Sequence, residues 1–512
     1  MSKYSHFSST GLSGGSLFFD PTSLALKSSE PLGNFRLLTQ QPNSVDWGSQ
    51  PSDDRARVLH ERDHLVRSLG TSFGVLRHAV NSLLLADAIQ YFAATGAPSP
   101  LDPPLMHPLS TVLSKIRGYR GDTARLTRDA KRWPEPERIL LRYHARTQFL
   151  AALDGESVPW PRHCELGLGL TDASLLSLNL PRLKGVYASS FSADEFTVWP
   201  NIDGYYLTSR QMFETIAVEV EMLHAFRFGR PRSTATNLLD HADYILLATL
   251  FDRRFRSRGT TKVPIDFDAI VDLALWVPMT LGGPCIEERP WQWTDFEPGY
   301  RFCKLLGWLE DRGIKPWVYA EDAGHFEECD VAMRRIQEEA CCALGWPSPV
   351  FLATRLIDEL TQIDVRQTTS SGYAVLGDRS PRLEWSIKLM KEFVDAPYSR
   401  SYRPFEKLSG SPVSVWFPCG VFADKDFAID GLMWTDPHSP FVDYQVFTTL
   451  RMLMEGPIDR LMPRQHAQMG CRLIGSIGSD MLGDTSFLSK MENSSELVRK
   501  LPAAVPPYTR PR

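Results

Sequence analysis

Apolar residues recur every three or four positions along most of the chain, a period that predicts helices. The clearest runs in the first part cover residues 53–70, 72–94, 136–153, 208–226, 237–255 and 266–276. A later group covers 300–311, 331–344, 350–363, 383–393, 444–454 and 465–481. In the run at 53–70, Val58, Leu59, Leu65, Val66 and Leu69 form the stripe that burial requires. Ser52 or Asp53 can cap its start, and Gly70 offers a stop. Strand signals are fewer. Residues 16–19 and 24–26 flank the turn Asp20-Pro21-Thr22-Ser23 and predict a hairpin, with residues 34–39 as a third short strand. Residues 185–190 and 195–199 carry β-branched and aromatic side chains and read as two more. The pattern therefore predicts an α+β fold that is predominantly α-helical.

Composition sets the ends apart. Residues 1–15 are rich in Ser and Gly, and residues 491–512 are polar with a Pro-rich finish, so both are expected to be disordered. Between them the expected division is a region 16–310, holding the helices at about 53–70 and 208–227, and a helical region 311–490. The residues 96–108 contain five prolines and predict a connector.

With 43% hydrophobic, 11% aromatic and 23% charged residues, the chain has the composition of an ordinary globular protein. A net charge of −5 and the lack of a basic stripe argue against a nucleic-acid partner. No apolar run approaches the ~18 residues of a membrane span, so no membrane partner is expected. The first residues lack a secretory h-region, and the 8 cysteines are scattered without a CxxC. Free thiols in a reducing compartment follow, and a cytoplasmic location is expected. Oligomeric state leaves no mark in the pattern.

The candidate chemistry lies in the first long helix, at His60-Glu61-Arg62-Asp63-His64. Residues i and i+4 share a helix face, so His60 and His64 can offer two imidazole nitrogens to one metal ion. Glu61 stands beside them, where a general base is needed. A solvated polar helix face is the competing account of the same five residues. Two histidines make an incomplete site, and a third ligand must come from elsewhere. The best candidate is Glu214, an acid among Phe213, Ile216, Ala217 and Val218, because a carboxylate on an apolar helix must be paired or bound to a cation. Glu219 and Glu221 on the same run are alternatives, either as ligands or as partners orienting a histidine.

Taken together, HERDH and the run FETIAVEVE resemble the gluzincin group of zinc metallopeptidases, and most nearly bacterial HExxH proteins with a large helical region after the motif. The resemblance implies a zincin-like first part, zinc held by His60, His64 and Glu214, Glu61 as general base, and amide hydrolysis of a peptide or protein substrate. A peptidase of this kind also needs a donor for the developing oxyanion. His224 and Tyr206 flank the Glu214 segment and are the candidates. The alternative function is a non-catalytic helical interaction protein in which the HExxH is accidental or degenerate.

Overall fold

The computed structural model describes residues 17–20, 25–28, 52–77, parts of 87–119, 123–154, 200–202, 205–227, 242–255, 264–280, 283–285, 293–313, 326–361, 381–399 and 421–423. Within these residues the protein is mostly helical. The expected elements at 34–39, 185–199, 444–454 and 465–481, and both termini, lie outside the described residues.

Strands β1 (Leu17–Asp20) and β2 (Ala25–Ser28) form the predicted hairpin, with Phe18 opposite Lys27. β2 also pairs in parallel with Val421–Ala423, so the hairpin is joined by a segment far away in sequence. The periodic run at 53–70 forms α1 (Ser52–Gly70). Helices α2 (Thr123–Ala130) and α3 (Glu135–Asp154) follow. A two-residue hairpin, β3 (Asn201–Ile202) and β4 (Tyr205–Tyr206), leads into α4 (Ser209–Arg227). Then come α5 (Ala242–Phe255) and α6 (Ile265–Leu275). A second small hairpin is β5 (Met279–Thr280) with β6 (Gly283–Pro284), before the short α7 (Trp293–Phe296). Among the described residues there follow α8 (Pro298–Arg312), α9 (Phe326–Leu344), α10 (Pro349–Thr361) and α11 (Pro381–Asp395), after which comes β7 (Val421–Ala423).

The helices pack in a chain of neighbours. α1 lies against α4 on one side and α11 on another, α4 meets α5 and α6, and α6 meets α8 and α9. A single buried apolar cluster runs from Phe73 to Tyr398 and includes residues on both sides of position 310. Every residue of α6 is buried, as expected of a central helix that is apolar around most of its circumference. Its C-terminal carbonyls would be stranded there, away from water. Arg301 of α8 meets them: its guanidinium donates to the carbonyls of Leu273 (3.0 Å), Ala274 (3.1 Å) and Trp276 (2.9 Å), and to that of Asp295 (3.0 Å). The same group lies over the Trp346 ring at 3.9 Å, a cation–π contact that covers its open face.

The start of α8 is packed against the entry to α4. A Cβ built on Gly299 would stand 2.2 Å from the Leu207 carbonyl oxygen, so only glycine allows this approach. Glu297 caps α8 by accepting from the Tyr300 amide at 2.9 Å. Thr208 accepts from the Arg210 amide at 3.3 Å, and Gln211 closes the turn through the Thr208 amide at 2.8 Å. These contacts set where α4 begins, and so where Glu214 falls.

Candidate metal centre

From His60 to Gly70 α1 is buried, including the charged residues between the two histidines. The solvated-face account of HERDH does not describe it. Asp63 accepts from Arg67 one turn later at 2.9 Å. Arg62 is flanked by Glu392 of α11 and by Asp63; burial lowers its pKa, and these two acids work against that shift. A pair of charges that looks out of place on a buried helix is thus neutralised from within α1 and from α11.

His60 and His64 face α4, as their i, i+4 spacing requires. Their rings stand edge to face, with centroids 4.8 Å apart and Nε2 to Nε2 at 3.1 Å. α4 brings Glu214 to the same point, with Oε2 3.4 Å from His60 Nε2 and 3.5 Å from His64 Nε2. Exposure is 5% for His60, 7% for His64 and 2% for Glu214, so water contributes little to holding the three groups. Phe213 lies beside His64, ring centroids 6.4 Å apart, and Phe73 lies beyond it at 6.2 Å, which closes that side with apolar surface.

Burial alone would push the Glu214 carboxyl up. The charge of His64, and then the polar contacts with His60 and His64, outweigh it and hold the group well below the usual carboxylate range. No hydrogen bond of ordinary geometry satisfies Glu214 Oε2. A buried carboxylate in that position is suited to a cation. Donors about 2.0–2.1 Å from a tetrahedral ion are separated by about 3.3–3.4 Å. The three observed separations, 3.1, 3.4 and 3.5 Å, bracket that value. Two imidazoles and a carboxylate also form a donor set that divalent first-row metals accept, and zinc is one of several. Among the described residues, this is the group whose donors converge closely enough to hold a metal ion.

The other expected site residues fall less uniformly. Glu61 is buried on α1, next in sequence to His60. Glu219 is buried on α4 but does not join the converging group. The backbones of Tyr206 and His224 belong to β4 and α4, while their side chains, and that of Glu221, lie outside the described residues. Pattern reading passed over Asp272 on α6, which accepts from Trp276 Nε1 at 3.2 Å and pairs with Arg67 of α1. The signal that picked out Glu214, an acid on an apolar helix, is present in IDFDAIVDLAL as well.

Searches against family models, curated proteins and solved structures find no match to this chain.

Proposed function

We propose that the protein is a zinc-dependent metallopeptidase of gluzincin-like, zincin-like construction, with His60, His64 and Glu214 as the metal ligands. The observation that carries the reading is the convergence of those three buried donors, from two helices, at separations suited to a tetrahedral ion. Three protein ligands leave one position open, which is the arrangement of catalytic rather than structural zinc sites. When bound there, zinc supplies Lewis acidity towards a water molecule and a carbonyl oxygen.

The chain's own residues do the rest. Glu214 sets the charge of the site and lowers it by one unit. Glu61 follows His60 by about 100° around α1, so it borders the same face, and it serves as general base for the attacking water. Its burial keeps bulk water from competing for the proton it takes up. His224 or Tyr206 stabilises the developing oxyanion. The substrate is a peptide or protein.

The test is Glu61→Gln, assayed on a mixed peptide library with metal content measured on the same samples. Gln keeps the shape of Glu but cannot accept the proton, so hydrolysis falls by roughly 10²–10⁴-fold while bound zinc is unchanged. Full activity in Glu61→Gln would remove its role. A wild-type chain that retains no metal would favour the non-catalytic interaction protein instead.

A further inference from the structure

One turn beyond the two histidines, α1 is held by a buried polar network that takes no direct part in the metal centre. Arg67 donates through Nε to Asp63 Oδ2 at 2.9 Å and through Nη1 to Asp272 Oδ1. Asp272 Oδ2 accepts from Trp276 Nε1 at 3.2 Å and from Gln337 Nε2 at 3.0 Å. Gln337 Nε2 also reaches the Ala269 carbonyl at 3.3 Å. All five side chains are buried, and they join three helices: α1, α6 and α9.

Arg67 follows His64 by three positions and His60 by seven, so it projects from the same stripe of α1 about one turn further on. We propose that Asp63, Arg67 and Asp272 are the positioning residues of the metal centre. They fix the rotation and height of α1 against α6 and α9, and in this way keep His60 and His64 aimed at Glu214 on α4. The proposal rests on the metal-ligand reading above.

Apolar packing is non-directional, and a helix seated on apolar residues alone tolerates small rotations. Side-chain tips lie about 5–6 Å from the helix axis, so a 10° rotation moves a ligand atom by about 1 Å. A functional constellation must be held within about 0.5 Å. The guanidinium fork supplies bonds of fixed direction, which resist that rotation. A buried ion pair adds little net stability over apolar residues of the same volume, so specificity of arrangement accounts for its presence better than stability does.

The experiment measures zinc affinity by chelator competition, and the visible spectrum of the cobalt(II)-loaded protein, on the full chain. The variants are Asp272→Asn and Gln337→Leu. Asp330→Asn serves as reference: that acid is also buried, on α9, but ties the helix to the Tyr398 amide at 2.7 Å and the Ser399 amide at 2.8 Å. Asp272→Asn is expected to weaken zinc binding by about 10- to 100-fold and to alter the cobalt bands. Gln337→Leu, which removes a donor without stranding a charge, should move both readouts the same way by less. Asp330→Asn should lower thermal stability and leave both readouts as in wild type. If Asp272→Asn does not fold, Gln337→Leu and Trp276→Phe carry the comparison. Zinc affinity within twofold of wild type and an unchanged cobalt spectrum in the folded variants would overturn the positioning role alone. A wild type that binds zinc no better than His60→Ala would overturn the metal-ligand reading, and this proposal with it.

Discussion

His64 and Glu214 face each other across the seam between α1 and α4, with Nε2 and Oε2 3.5 Å apart. Neither helix holds a site alone: α1 supplies two donors at fixed spacing, and α4 supplies the charge. Removing any one of the three should therefore abolish the site rather than weaken it in proportion. Elemental analysis should find about one zinc per wild-type chain and almost none in His60→Ala or His64→Ala. Glu214→Gln should retain less than wild type, because a neutral amide is a poorer ligand than a carboxylate. Equal zinc in all four proteins would remove the centre.

The same ligand set makes metal retention depend on pH. Imidazoles bind a metal only when neutral, so protons compete with the ion as the solution is acidified. Dialysis against mildly acidic buffer should strip the metal, and return to neutral pH with zinc should restore it. Retention that does not change with pH would mean the ion is held by other groups.

Glu297 gives a different pH dependence, one independent of any metal. Burial raises its carboxyl from the ordinary 4.5 to about 8, and the hydrogen bonds from the Tyr300 and Gly299 amides only partly offset this. The folded chain then holds a proton that the unfolded chain releases above 4.5. The contribution is fully present below pH 4.5 and is lost as pH rises towards 8, where both states are ionised. The slope in that window is on the order of 1 kcal/mol per pH unit. Glu297→Gln should keep the cap on Tyr300 and remove the slope. Urea denaturation at pH 5, 6.5 and 8 checks it: parallel losses in wild type and variant would count against a protonated Glu297.

Arg301 should behave as a structural residue without bearing on the metal. It is buried and serves the carbonyls of Leu273, Ala274, Trp276 and Asp295. Arg301→Met keeps the apolar bulk but strands those acceptors, each worth about 1–3 kcal/mol when buried unpaired. A fall in thermal midpoint of ten degrees or more is expected, with zinc affinity retained at temperatures where the variant is folded. A variant as stable as wild type would show that water or neighbouring donors replace the guanidinium.

Much of the helical framework was legible because long periodic runs over-determine a helix. The run at 53–70 became Ser52–Gly70, and that at 383–393 became Pro381–Asp395. α9 begins at Phe326, five residues before the pattern starts, because Glu327 and Glu328 favour the positive end of a helix without adding to the apolar stripe. α2 was missed: TARLTRDA is eight residues long, too short for a period to declare itself. The hairpins of β3 with β4 and β5 with β6 have two-residue strands, which carry no alternation at all. At the site, Glu214 was legible because an acid on an apolar helix demands a partner. The partners of Arg62 and Arg67 were not, since Glu392 and Asp272 come from other helices and pattern says nothing about which helices meet.

The two glycines of α8 separate local propensity from long-range packing. Gly307 has open space where a Cβ would go, whereas at Gly299 that atom would stand 2.2 Å from the Leu207 carbonyl oxygen and 3.0 Å from Glu297 Oε2. Gly307→Ala should stabilise the protein by up to about 1 kcal/mol, since alanine loses less backbone entropy in a helix. Gly299→Ala faces backbone, which cannot swing aside, and should destabilise by about 2 kcal/mol or more. The second effect reaches the metal. Leu207 directly precedes the Thr208 turn that starts α4, so pushing its carbonyl away shifts the first turn of the helix that carries Glu214. Gly299→Ala should therefore lose zinc affinity as well as stability, and Gly307→Ala should lose neither. Chelator competition and thermal melts on both variants supply the answer. Gly299→Ala with wild-type zinc affinity would mean that α4 keeps its place independently of α8.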